Sequence, residues 1–274
     1  MRQGSMRQRI RPRTIGAALA AALVGTLVAA LLPASPALAL ASGSGWSGSW
    51  NYYHPNAYQY SGTLPGVSLT GYATDYSGTS NTVGTIQDTA NDGRCARVML
   101  YANGVGYLVD QTICGNGRSL NYSTGSYSLG LLVIVYRMVE GTSSHDKGFY
   151  LYIPGSARDP ELRTVGTGAS WSYYTSTAFQ YSVTRPGVKL IGYGSHQSFD
   201  QRSSLSTVQK TATSVGCATA RVTGGTATSN GTCTNGGSAS FSRFDHTYNL
   251  EASACYQPVP GTQSCLALNI PEPW

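Results

Sequence analysis

Short runs in which apolar and polar residues alternate, or in which β-branched and aromatic residues dominate, follow one another along this chain beyond its N-terminal apolar stretch. Val67–Tyr72 alternates, and Cys95–Ala102, Tyr107–Asp110, Leu129–Val139 and Phe149–Ile153 are rich in Val, Ile, Leu and Tyr. Clusters of Gly, Asn, Asp and Ser separate them. A period of two marks half-buried strands, and short strands at this spacing mark a sandwich or barrel. No stretch beyond the N-terminal apolar run carries a convincing helical period. Leu129–Val139 (LGLLVIVYRMV) is almost continuously apolar, which predicts a central strand covered on both faces. It is too short to cross a membrane as a helix.

The pattern occurs twice. Ser49–Tyr72 (SWNYYHPNAYQYSGTLPGVSLTGY) returns 121 positions later as Ser170–Tyr193 (SWSYYTSTAFQYSVTRPGVKLIGY), with 15 of 24 positions identical. Chance does not produce this, so an ancestral duplication is inferred. Its period suits a whole domain rather than a solenoid unit. The expected organisation is two tandem β-sandwich domains, Ig-like in size, at residues 50–154 and 169–274. Residues 155–168 (GSARDPELRTVGTG) read as a linker. Each domain has length enough for its own core and is expected to fold independently.

The N-terminus is of another kind. Met1–Thr14 is basic, Ile15–Leu32 is an Ala/Leu/Val run, and Pro33–Ala41 holds small residues with two A-x-A cleavage sites. Residues 1–41 therefore read as a secretory signal peptide, Ala-rich in the manner of an actinomycete, rather than a membrane anchor. The formal charge of +6 is mostly this leader. Without its five arginines, 13 of the 18 Lys+Arg remain against 12 Asp+Glu, and they are scattered. No nucleic-acid or anionic-membrane footprint is left. After cleavage comes Ser42, Gly43, Ser44, Gly45, Trp46, Ser47, Gly48 and Ser49. This Gly/Ser stretch predicts a flexible arm, with Trp46 either folding back onto the first domain or serving as an anchor that a partner buries. Under the second reading, deleting the arm would leave stability nearly unchanged.

Six cysteines in a secreted chain imply disulfides. Thr85-x-Gln87-x-Thr89-Ala90 precedes Cys95, and Thr207-x-Gln209-x-Thr211-Ala212 precedes Cys217. Cys114-Gly-Asn116-Gly117 matches Cys233-Thr-Asn235-Gly236. Repeat matching therefore pairs Cys95 with Cys114 and Cys217 with Cys233. Proximity pairs Cys255 with Cys265. This last pair has no counterpart in the first repeat, and replaces the apolar residues that Leu131–Val135 supplies there.

Catalytic chemistry is not legible. His54, His145, His196 and His246 occupy unmatched positions in the two repeats. No G-x-S-x-G, H-E-x-x-H or P-loop occurs. Carboxylates are too scattered for a glycosidase pair, and no C-x-x-C or suitably spaced His suggests a metal. The chain is read as a non-enzyme needing no cofactor or metal. Trp50-x-Tyr52-Tyr53 and Trp171-x-Tyr173-Tyr174 could stack on sugars, but their repetition points to a shared core. Arg137, Arg185, Lys189 and Arg243 read as solvated charges.

The leading reading is a secreted, extracellular adaptor that joins other secreted proteins in a hetero-complex. The alternatives are a carbohydrate- or cell-wall-binding module and, further behind, a protease inhibitor. In secretion, actinobacterial style, size, lack of a catalytic motif and the arm at Ser42–Ser49, the organisation resembles the adaptor subunit of the umbrella toxin particles of Streptomyces. The resemblance implies an arm inserted into a cleft of a partner, and a role in antagonism between bacteria.

Overall fold

In a computed structural model, the residues described are 45–76, 79–128, 130–155, 160–175, 177–198, 201–224, 226–245, 250–259 and 261–271. The expected signal peptide, residues 1–41, and Ser42–Ser44 of the expected arm lie outside them. The described chain is all-β, with antiparallel sheets and three disulfides. The first half forms β1 (Ser47–His54), β2 (Ala57–Leu64), β3 (Val67–Tyr76), β4 (Thr79–Asp88), β5 (Arg94–Ala102), β6 (Gly106–Cys114), β7 (Ser119–Ser123), β8 (Leu131–Val139) and β9 (His145–Ile153). The second forms β10 (Gly168–Tyr173), β11 (Ala178–Arg185), β12 (Val188–Ser198), β13 (Gln201–Lys210), β14 (Gly216–Gly224), β15 (Thr226–Thr232), β16 (Ser238–Asp245), β17 (Leu250–Pro258) and β18 (Ser264–Ile270). The turns match too. Pro65-Gly66 and Pro186-Gly187 join β2 to β3 and β11 to β12. Their glycines have φ of +89° and +88°, which the third position of a type II turn requires.

The two halves are not separate domains. Ten strands form one sheet in the order β16-β13-β12-β11-β10-β1-β2-β3-β4-β7. Two four-stranded sheets, β6-β5-β8-β9 and β15-β14-β17-β18, complete the sandwich-like arrangement. The seam is the antiparallel pair β1–β10, where Ser49 faces Ser170 in register. Those two serines are equivalent positions of the repeat, so the pairing is self-complementary about this point, as in an isologous interface. Large meets small across it. Trp50 faces Ala169, and Trp171 faces Gly48. A methyl group at Gly48 would lie 2.8 Å from the indole nitrogen of Trp171. One hydrophobic cluster runs through both halves, and Phe149 of β9 meets Trp171 edge-on at 5.6 Å.

Several sequence expectations change accordingly. The expected linker carries a 3-10 turn, Pro160–Arg163, with Leu162 buried, and its end pairs with β1 through Tyr52 N–H to Thr167 O and Gly166 N–H to Tyr52 O. The expected arm is strand from Ser47 onward. Trp46 is 4% exposed within the core, and its carbonyl accepts the Tyr173 N–H. A Trp beside an available strand edge gains more from its own core than from solvent. Arg185 and Arg243 are buried rather than solvated. Arg185 reaches Glu161, and Arg243 donates to the carbonyls of Val222 and Gly224. Arg137 is half-buried between Asp146 and Asp92.

The disulfides are Cys95–Cys114, Cys217–Cys233 and Cys255–Cys265, the pairs that repeat matching and proximity select. They suggest an oxidising setting. Among the described residues no helix is long and apolar enough to cross a membrane.

Candidate functional site

Trp50, Tyr52, Trp171 and Tyr173 are core side chains. The Tyr52 hydroxyl donates to the buried Asp75 at 2.6 Å. The partners Tyr53 and Tyr174 are exposed, so each Tyr-Tyr pair puts one ring inside and one outside. His54 accepts the Asn56 N–H, and the His145 ring lies 4.4 Å from that of Tyr136. The His196 side chain and His246 lie outside the described residues. Among the described residues no group of three or more His, Cys, Asp or Glu converges on a metal position.

Among the described residues each of the three sheets leaves an outer face open, and these faces differ in chemistry. The first is the outer face of β6-β5-β8-β9. Inward positions Val98, Leu100, Val133, Val135, Phe149 and Leu151 are fully packed. The residues between them point out, and they form three rows. Tyr107, Tyr101, Leu132 and Tyr152 are register partners, as are Asp110, Met99, Ile134 and Tyr150, and then Arg97, Tyr136 and Gly148. Tyr101 and Tyr107 meet edge-to-face at 5.5 Å, and the hydroxyls of Tyr136 and Tyr150 share a 2.9 Å hydrogen bond. Tyr107 is 66% exposed. At the rim, Arg97 holds Asp110 by two hydrogen bonds of 2.7 and 2.6 Å, which keep that carboxyl below its usual range. No other sheet of the described residues covers this face. The expectation that β8 is covered on both sides is therefore corrected. Of its outward residues, Leu132 and Tyr136 are half-buried and Ile134 is buried.

The equivalent face of β15-β14-β17-β18 has lost this character. Thr223, Glu251 and Asn269 stand in the row of Tyr101, Leu132 and Tyr152. Arg221, Ser253 and Ala267 replace Met99, Ile134 and Tyr150. Cys255 and Cys265, with Thr219, take the row of Tyr136, Gly148 and Arg97. The third disulfide thus occupies outward positions. Inside, Val133 and Val135 become the smaller Ala252 and Ala254.

The third open face is the outer side of the ten-stranded sheet. One row crosses every strand: Asn121 and Thr85, Thr70 and Ser61, Ser49 and Ser170, Ser182 and Ile191, Thr207 and Ser240. Hydroxyl pairs bridge neighbouring strands along it at 2.9 Å in Ser49–Ser61, Ser170–Ser182 and Thr207–Ser240. Thr85 donates to Asn121 Oδ1 at 2.7 Å. Flanking this row, Tyr72 and Tyr193 are exposed at symmetry-related positions.

No protein-family model matches the chain, and no curated protein matches it. The sequence reading of Trp50-x-Tyr52-Tyr53 and Trp171-x-Tyr173-Tyr174 as mainly core matches their burial, with Tyr53 and Tyr174 turned out, and it did not single out the outer face of β6-β5-β8-β9. Its signal was present in the replacement of Leu131–Val135 by a Glu/Ser/Cys segment, which marks one repeat as carrying something the other does not.

Proposed function

We propose that this chain is a secreted, non-enzymatic adaptor that joins other secreted proteins, docking one of them on the outer face of β6-β5-β8-β9. The observation that carries this reading is the contrast between two equivalent sheets. The fold tolerates Thr, Glu, Asn, Arg and Ser at these outward positions in the second half. Stability alone therefore does not call for Tyr, Leu, Met and Ile in the first. Tyr, Met and Arg are the residue types enriched where proteins meet, and the Arg97–Asp110 pair supplies a polar rim. The signal-peptide reading of residues 1–41, the tandem repeat and the resemblance to umbrella-toxin adaptors support the same class of role, with the two fused repeats as a rigid spacer.

The test is mass spectrometry of the native complex purified from culture medium, carried out for wild type and for Tyr101→Thr/Ile134→Ser/Tyr150→Ala. The wild type should bring down a defined secreted chain in fixed ratio, and the triple variant should lose it while keeping its circular dichroism. Recovery of the wild-type protein free of any stoichiometric partner would overturn the reading, as would unchanged recovery with the variant.

A further inference from the structure

We propose that the outer face of the ten-stranded sheet is a second binding surface, independent of the adaptor face, and that it takes a linear, uncharged polysaccharide. Charge argues first. Among the described outward side chains of this sheet, Lys189 is the one charged group, in a field mostly of Ser, Thr, Asn, Gln and Tyr, with the apolar Val83, Ile191, Leu205 and Phe244 among them. An anionic polymer finds no cationic track there, and a protein partner finds few ionic handles. The hydroxyls and ring faces of a neutral sugar chain fit both halves of what is offered. Amides and hydroxyls meet the first, and exposed tyrosine rings meet the second.

The geometry repeats that offer twice. In the first half Tyr72 is 52% exposed, and its ring is braced edge-to-face by Tyr53 at 6.5 Å. Its register partner Gln59 donates to Asn51 Oδ1 at 3.1 Å, and these groups line one shallow depression with Ser49, Ser61 and Thr70. In the second half Tyr193 is 54% exposed, and its register partner Gln180 donates to Ser172 Oγ at 3.2 Å. Tyr193 lines a second depression with Tyr174, Leu205 and Phe244. Ring plus amide is thus present on both sides of the seam. Five interstrand steps and four residues of strand separate Tyr72 from Tyr193, which places the two rings about 27 Å apart. One extended chain can cross both. The sites are related by the seam's pseudo-twofold, so the chain meets them in opposite directions, and ring stacking does not sense direction. Two modest sites on one rigid sheet then act together through effective concentration.

Depletion binding to insoluble cellulose, chitin and amylose, with soluble dextran sulfate as the charged control, tests this. The proteins are wild type, Tyr72→Ala, Tyr193→Ala, the double variant and Tyr150→Ala from the adaptor face. Binding to at least one neutral polymer is expected, unchanged between low and high salt. Each single substitution on the ten-stranded face should weaken it about 100-fold, because loss of either site removes the avidity. The double variant should lose the residual binding that each single variant keeps at its remaining site. Tyr150→Ala should bind as wild type, so failure here is distinguishable from failure of the adaptor reading. Absence of binding to all three neutral polymers would overturn the proposal. So would salt-sensitive binding with a preference for dextran sulfate, or binding that survives the double substitution.

Discussion

Asp88 in the first half and Lys210 in the second occupy the same place in the repeat, and both are buried. Each ties its strand to the turn after the second cysteine. Asp88 does so by accepting the Gly115 N–H at 2.8 Å, and Lys210 by donating to the Cys233 carbonyl and to Asn235 Oδ1. A buried charge persists where the backbone supplies the complementary partner, so opposite charges solve one problem. Tyrosines solve another. Tyr58 and Tyr127 share a 2.7 Å hydrogen bond, Tyr60 bonds Thr82 and Tyr122, and Tyr181 bonds Ser206. Burial raises all five hydroxyls above the ordinary tyrosine value. That value is ~10. Above it the unfolded chain loses these protons while the native chain keeps them. Stability is therefore intact below pH ~10 and falls as pH rises further. An alkaline titration should show these tyrosines ionising in step with loss of the β-sheet circular dichroism. Their ionisation in a fully folded protein would contradict the buried network.

At the scale of elements, β1 shows how a Gly/Ser-rich segment becomes structure. Ser47, Ser49 and Asn51 face outward while Gly48, Trp50 and Tyr52 face inward, and β2 and β10 bond both its edges. Composition alone reads as flexible, but period two and two waiting edges override it. Trp46 closes the core at the strand's start. Trp46→Ala should therefore cost about 3–5 kcal/mol in urea denaturation, as other large-to-small changes of buried aromatics do. A loss below about 1 kcal/mol would return Trp46 to the status of a loose arm residue. β8 and β17 show the converse. They share a place in the fold but not a surface, because inward residues are constrained by the core and outward ones answer to whatever the face meets.

For the whole molecule, the seam decides behaviour. The β1–β10 pair lies at the centre of the ten-stranded sheet, and the core is continuous beneath it. Residues 45–271 should unfold in a single transition, with calorimetric and van't Hoff enthalpies equal. Fragments cut at the seam would expose a long, flat, central strand as an edge, and such strands aggregate or pair with one another. Two well-separated transitions in the intact chain would instead restore independent domains.

The sequence by itself determined the strand-rich class, the twofold repetition and the cysteine partners. Each of these is written in side chains: period-two alternation, the shared Ser49–Tyr72 pattern, and the matched surroundings of Cys95 and Cys217. It also marked the tyrosine pairs, though not which ring of each would face out. Tertiary structure decided the seam, because a strand's free edge is made of backbone N–H and C=O groups that every residue carries. Nothing in the residues of β1 says that β10 will occupy its second edge. Tertiary structure also decided which faces stay open. An apolar strand such as β8 reads the same whether its second face meets another layer or is left for a partner.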